Sequence, residues 1–223
     1  MHFLRQQFEK NPVFVRTVPF IVFLVLTFGQ GMNDLPETRY WFYLAKILVG
    51  AWLVWEMRPF VAEMKWAVSW EAIVIGILVF VMWVGIDDWY PQVRSDGTDS
   101  NPHVVFGENP GLAWMFLIVH LLGSTFVVPP LEEVFYRTFL YRYLVNMNFL
   151  AMPLSQFHGL SFTVTAIIFG STHYQWLAGI ICGMAYQWLV IRKNRLGDAM
   201  TAHAITNFLL GVYVIWRGAW KFW

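Results

Sequence analysis

The chain has 223 residues, of which 58% are hydrophobic and only 13% are charged. Soluble domains carry about 25% charged residues, so this composition excludes an ordinary soluble protein and indicates several helices within a lipid bilayer. The formal net charge is +1. Because no run of lysine and arginine is long enough to follow a phosphate backbone, we expect no nucleic-acid partner.

Seven apolar stretches approach the roughly 20 residues that a helix needs to cross the hydrocarbon core. They cover residues 13–28, 40–57, 66–86, 112–128, 161–176, 177–191 and 198–216. A further helix is expected over Leu131 to Asn148, which is too charged to face lipid along its whole length. The sequence therefore predicts an all-α, polytopic integral membrane helical bundle with about seven transmembrane spans plus an additional amphipathic or embedded helix. Residues 1–111 are expected to hold the N-terminal spans and an acidic outer loop, and residues 112–223 a membrane core that carries most of the polar residues discussed below.

Basic residues indicate the orientation of this bundle. With the N-terminus in the cytoplasm, the inner segments hold Arg5, Lys10, Arg16, Arg58, Lys65, Arg137, Arg142, Arg192, Lys193 and Arg195. The outer segments hold Arg39, Arg94, Arg217 and Lys221. Cytoplasmic loops are enriched in lysine and arginine. We therefore predict a multi-pass protein of the cell inner (cytoplasmic) membrane with a cytoplasmic N-terminus.

Polar side chains interrupt the apolar sequence where a bilayer makes them costly. Glu132, Glu133 and Arg137 follow Pro129 and Pro130, which are expected to break the helix and place both glutamates in the first turn of a new one. Glu133 and Arg137 are four residues apart and share a helix face, whereas Glu132 points about 100° away. Acidic residues also stabilise an ordinary helix start, but the surrounding apolar residues favour a functional interpretation.

Two imidazoles occur with partners at the same helical spacing. Phe169 precedes His173 by four residues, and Asn207 follows His203 by four. Asn207 is expected either to orient the His203 ring or to hold a substrate carbonyl. A carboxylate with two imidazoles and an amide provides what amide hydrolysis requires: an activated water, a stabilised oxyanion and a proton for the leaving nitrogen. His120 lacks such a partner and is predicted to serve packing.

The ordered set formed by Glu132-Glu133-x-x-x-Arg137, Phe169-x-x-x-His173 and His203-x-x-x-Asn207 resembles the CPBP family, the CAAX proteases and bacteriocin-processing enzymes also called Abi proteins. The resemblance extends over about half of the chain, from Leu112 to Trp216. Chain length and the segment from Arg16 to Phe20 also resemble a bacterial CAAX-protease-related subgroup linked to exosortase sorting systems.

The resemblance implies an intramembrane endopeptidase that acts on a membrane-anchored, CAAX-type prenylated protein or peptide. It implies that Glu132 activates water with help from His173, that His203 and Asn207 form the oxyanion site, and that Glu133 and Arg137 support the geometry. No cofactor is expected. The alternative is zinc bound by Glu132, His173 and His203, although the chain has no His-Glu-x-x-His pair.

Two other functions fit a membrane protein with these polar residues: a proton- or ion-coupled transporter and a catalytically silent scaffold. The absence of an inverted repeat argues against the transporter.

The predicted spans also place the two histidines at different depths in the membrane. His173 would lie about 18 Å along the fifth span and His203 about 8 Å into the last. A break near Gly170, a tilted fifth helix or a sunken helix at 131–148 would bring the two together. Because Arg192, Lys193 and Arg195 shortly precede His203, the site is expected to open towards the cytoplasmic leaflet.

Overall fold

The computed structural model describes residues 2–93 and 101–223. Within these ranges the chain is helical and has no β-strand, which confirms the prediction of an all-α protein. The middle of the predicted outer loop, including Arg94, lies outside the described residues. The division into an N-terminal and a catalytic part stays a prediction.

The helices of the described ranges follow the predicted stretches closely. They are α1 (His2–Lys10), α2 (Pro12–Gly31), α3 (Pro36–Met57), α4 (Trp70–Gly85), α5 (Pro102–Val105), α6 (Pro110–Phe126), α7 (Val128–Glu133), a π-helix (Val134–Leu140), α8 (Tyr141–Tyr143), α9 (Gly159–Ser171), α10 (Trp176–Lys193) and α11 (Gly197–Arg217). Short 3₁₀ turns lie at Arg58–Phe60, Asp87–Trp89, Phe149–Ala151 and Trp220–Phe222.

Helix length and apolar composition limit how many of the described helices can cross a bilayer unaided. Three are long and apolar enough to do so: α2, the helical stretch Pro110–Tyr143, and α11. Apolar α4 and α9 are shorter, with 16 and 13 residues. The chain is therefore a helical membrane protein, and the count of seven complete spans stays a prediction.

The helical segment around the two glutamates differs from the expectation. The helical stretch Pro110–Tyr143 is interrupted at one residue, Val127, between the end of α6 at Phe126 and the start of α7 at Val128, with prolines near that start. However, Glu132 and Glu133 are the last two residues of the short α7, so their predicted place in a first turn is wrong. The π-helix starts immediately after them, and the helical stretch ends at Tyr143 rather than Asn148. π-Helical turns are frequent at functional sites.

Helix α11 lies at the centre of the bundle, packed against α4, α6, α7 and α10. Its approach to α4 depends on Gly76, where an added Cβ atom would lie 2.7 Å from the carbonyl oxygen of Ala202. Small residues allow such close contact between membrane helices. The residues of α11 that face the centre are therefore held in a narrow range of positions.

The two ends of the bundle differ in charge. One end, named here the basic end, carries α1, the connection 58–69 and the connection 194–196. There Glu63 bonds to Arg16 at 2.7 Å and to Arg142 at 2.6 Å. Burial raises the pKa of the Glu63 carboxyl, but the charges of Arg16 and Arg142 outweigh it and hold that pKa below its ordinary value. The opposite end carries the connections 32–35 and 172–175 and residues 218–223.

Candidate active site

Glu133 is the centre of a buried polar network. Its Oε2 accepts a hydrogen bond from Arg137 Nε at 2.8 Å, and its Oε1 lies 2.9 Å from His203 Nδ1. The side chains of Glu133 and Arg137 have no solvent exposure. The predicted pairing of Glu133 with Arg137 is confirmed, and the contact with His203 joins α7 to α11. One carboxylate thus holds two cationic or protonatable groups.

Arg137 is held by few other groups. Its Nη1 and Nη2 atoms are buried and have no hydrogen-bond partner among the described residues. Its guanidinium lies 5.0 Å from the centroid of the Phe169 ring, close enough for a cation–π contact. Glu133 is therefore the main source of negative charge for this buried cation.

Glu132 is oriented differently from its neighbour, as the helical spacing predicts. It lines a cavity of about 430 Å³ together with Lys46 and His120. Its Oε2 atom is buried and finds no hydrogen-bond partner within the described part of the chain. Glu132 is thus a half-buried carboxylate that faces the cavity and is not used by Arg137.

His173 lies beyond the end of its predicted helix. Because α9 ends at Ser171, His173 belongs to the connection 172–175 rather than to a span that reaches Trp176. Its Nδ1 lies 2.8 Å from the carbonyl oxygen of Phe169, which leaves Nε2 as the second ring nitrogen. Phe169 therefore does contact His173, as the i,i+4 spacing predicts. It does so through its backbone carbonyl as well as through its ring.

His203 is oriented by groups other than Asn207. Glu133 binds its Nδ1, and the Tyr186 ring stacks on it with centroids 5.2 Å apart. The Nδ2 atom of Asn207 instead donates to the Ser124 carbonyl at 2.8 Å. Of the two roles expected for Asn207, orientation of His203 is wrong, because Glu133 and Tyr186 perform it. The role towards a substrate carbonyl stays a prediction.

His173, His203 and Asn207 line a second cavity, of about 250 Å³. It adjoins the Glu132 cavity, because both are lined by a common set of residues. This set is His120, Ser124, Val128, Thr172, Tyr174 and Trp223. The structure therefore brings Glu132 and the three other candidates around two adjoining cavities, named here together the central cavity.

Phe169 explains how residues at different predicted depths meet. Its buried ring lies 4.8 Å from the His173 ring and 6.1 Å from the His203 ring, measured between centroids. Gly170 permits the end of α9 to approach α10 closely, because an added Cβ there would lie 2.6 Å from the backbone nitrogen of Ile180. The chain thus ends α9 early and folds back against α10. This is the break near Gly170 that the sequence left as one of three possibilities.

The central cavity extends away from the basic end. The Glu132 side is lined by Gly31 and Arg39, which flank the connection 32–35, and the other side by Lys221 and Trp223. These groups lie at the end opposite Arg192 and Arg195. The expected opening towards the same end as the basic loop is therefore wrong. His203 is close to the start of α11 in sequence, but the free space lies along the later part of that helix.

Sequence reasoning overlooked Lys46 and underestimated His120. His120 does pack, stacking on Tyr43 with ring centroids 4.4 Å apart, yet it also lines both parts of the central cavity. Lys46 is a lone cation in the apolar stretch 40–57. The cost of burying a charge in a bilayer, which identified Glu132 and Arg137, applies equally to Lys46 and was the available signal.

The positions of the possible metal ligands can be compared with the zinc alternative. Across residues 2–93 and 101–223, no three histidine, cysteine, aspartate or glutamate side chains are near enough to hold one metal ion. Glu132, His173 and His203 are thus not gathered as a ligand set. Hydrolysis without a metal stays a prediction.

Comparison with known proteins shows that the part of the chain holding this site is similar to a known family. Residues 112–209 match a family model described as Type II CAAX prenyl endopeptidase Rce1-like. The match contains all six candidate residues and confirms the resemblance to the CAAX proteases for this part of the chain. No curated protein and no solved structure matches the chain.

Proposed function

We propose that this chain, whose residues 112–209 are similar to a family of membrane proteases, is itself an intramembrane endopeptidase. Its substrate would be a membrane-associated protein, prenylated near the scissile bond as the family description suggests. One observation supports this most directly. A buried Arg137–Glu133–His203 network lies beside a cavity into which the neighbouring carboxylate, Glu132, projects.

In this proposal Glu132 is the general base that activates water. Its Oε2 atom has no protein partner among the described residues, so it is available to accept a proton from a water molecule in the cavity. His173 assists through Nε2, because its Nδ1 is engaged by the Phe169 carbonyl. A carbonyl partner fixes Nδ1 as the protonated nitrogen and leaves Nε2 as an acceptor.

His203 and Asn207 are proposed to stabilise the oxyanion. With Nδ1 held by Glu133, the other ring nitrogen of His203 is the one available to the cavity, and it would serve as a donor to the oxyanion when it carries a proton. Asn207 uses one amide hydrogen on the Ser124 carbonyl and retains a second for the substrate. Glu133 and Arg137 act on the reaction through His203, as positioning residues.

The proposal also concerns the side of the membrane from which substrate arrives. If the basic end faces the cytoplasm, as the excess of lysine and arginine there indicates, the central cavity opens towards the outer leaflet. The substrate would then be an exported or surface-anchored protein rather than a cytoplasmic one. This replaces the sequence-based expectation of a cytoplasmic opening.

Cysteine labelling tests this orientation. Asp34 is exposed in the connection at the cavity end, and Asn194 lies at the basic end. The native Cys182 is buried, so single cysteines introduced elsewhere report their own accessibility. We expect Asp34→Cys to react with an impermeant thiol reagent in intact cells, and Asn194→Cys only in inside-out vesicles. The reverse pattern would place the cavity on the cytoplasmic side.

Cleavage of a prenylated peptide by purified protein tests the activity. We expect product from the wild-type protein and none from Glu132→Gln. Glu108→Gln is the matched control, because Glu108 is an exposed carboxylate outside the cavity. Equal turnover by Glu132→Gln would refute the assignment of the base. No cleavage by any variant, together with proton-dependent uptake of solute into vesicles, would favour the transporter.

A further inference from the structure

Lys46 is a buried cation that makes no direct ion pair, although Glu132 attracts it from the same cavity. Its side chain is 5% exposed, and no carboxylate oxygen of the described residues lies within the 4.0 Å of an ion pair. Its Nζ donates one hydrogen bond, to Gln30 Oε1 at 2.8 Å. It also lies 4.7 Å from the Tyr43 ring centroid. Since an ammonium has three donors, two are left without an acceptor among the described residues.

The position of Lys46 connects it with the proposed reaction. It lines the same part of the central cavity as Glu132, and it lies in α3, outside the family match at 112–209. Among the described residues that line this part of the cavity, Glu132 is the only acidic one, whereas Lys46 and Arg39 are both cationic. The described lining therefore has one more cationic than acidic residue, the second cation being the partly buried Arg39 at the rim. A buried ammonium held by one amide oxygen is costly, so this part of the cavity favours uptake of an anion.

We propose that Lys46 binds a carboxylate of the substrate and so determines specificity at the site. This inference rests on the proposed peptidase function and adds to it the chemical character of the preferred substrate. A compact ammonium beside one amide oxygen suits a monoanionic carboxylate, and the apolar walls formed by Phe20, Leu24 and Phe116 strengthen such a contact. The carboxylate belongs either to the free C-terminus of the substrate or to an acidic side chain.

Three prenylated peptides distinguish these sources. The first carries one internal glutamate and a free C-terminal carboxylate, the second has a C-terminal carboxamide, and the third has glutamine in place of the glutamate. For the wild-type protein we expect loss of the recognised carboxylate to lower kcat/KM roughly 10- to 100-fold, mainly through KM. The modified peptide whose kcat/KM falls identifies which carboxylate Lys46 recognises.

Substitution of Lys46 completes the test. In Lys46→Met we expect the preference for the recognised carboxylate to disappear, and in Lys46→Arg to be largely kept. Lys193→Met is the control, because Lys193 pairs with Glu71 away from the cavity. Unfolding temperatures measured in detergent establish that each variant folds.

Different outcomes separate this inference from the function on which it rests. If Lys46→Met slows all three peptides equally, Lys46 serves Glu132 electrostatically and the specificity role is wrong, while the peptidase function stands. Peptide-binding affinity, measured without turnover, tests the inference even if the protein does not cleave these peptides. Peptide binding to Glu132→Gln should weaken roughly 10-fold or more when Lys46→Met is added, and equal affinities would overturn the inference even if no cleavage occurred.

Discussion

Glu132 and Glu133 are adjacent in sequence, yet we predict that removing their charges has opposite consequences. Glu133→Gln should destabilise the fold, because Glu133 is the carboxylate that holds both Arg137 and His203 in a fully buried site. Glutamine keeps the size of the side chain and removes only its charge. Glu132→Gln should leave stability nearly unchanged, since no hydrogen bond to Oε2 of Glu132 is lost.

The magnitude for Glu133→Gln follows from the burial of its partner. Breaking a buried ion pair by neutralising one member costs about 3–5 kcal/mol, because the remaining charge is left uncompensated. Arg137 is such a charge: its Nη atoms have no other hydrogen-bond partner among the described residues. For a chain of this length each kcal/mol lowers the melting temperature by about 2–4 °C, which gives a fall of roughly 6–20 °C.

Thermal unfolding in detergent and peptide cleavage, measured on the same preparations, test this contrast. Glu132→Gln should retain the wild-type melting temperature and lose cleavage. Glu133→Gln should lose stability, and the part that stays folded should cleave slowly because His203 is no longer held. Equal melting temperatures for the two variants would refute the reasoning, and so would wild-type cleavage by a stable Glu133→Gln protein.

Three further predictions follow from other parts of the structure. Purified protein should contain well under one equivalent of zinc and keep its activity after chelation, whereas stoichiometric metal that restores lost activity would contradict metal-free hydrolysis. Phe169→Ala should lower stability by about 3 kcal/mol, because the ring is fully buried, and should also reduce cleavage by loosening His173 and His203; an unchanged melting temperature would contradict this. The stability provided by ionised Glu63 should be complete above its ordinary pKa of about 4.5 and be lost as pH falls through its lower folded value. The difference in melting temperature between wild type and Glu63→Gln should therefore shrink on acidification, and a constant difference would exclude this contribution.

Much of the site was evident from the sequence, because polar side chains in apolar membrane helices carry a free-energy cost. A charged or strongly polar side chain in an apolar helix is energetically unfavourable unless other groups pair with it. Glu132, Glu133 and Arg137 therefore differed clearly from their neighbours. Helical spacing then predicted that Glu133, not Glu132, pairs with Arg137, and the structure has this pairing. Such local relations depend only on helix geometry, which the sequence specifies directly.

Relations between distant segments required the fold. The contact of His203 with Glu133 joins residues that are 70 positions apart, and nothing in the spacing of either helix indicates it. The same applies to Lys46, which reaches the cavity of Glu132 from α3. The direction in which the cavity opens also required the fold, because the shape of a cavity depends on where the surrounding helices end and how they tilt.

The sequence by itself thus determined the class of protein, the approximate positions of most helices and the residue types of the site, because hydrophobic length and helical period are local properties. The tertiary structure decided which groups meet, that Glu133 rather than Asn207 orients His203, and that the cavity extends away from the basic end. These outcomes depend on the early end of α9 and the close packing at Gly76 and Gly170, where excluded volume between distant segments selects one arrangement.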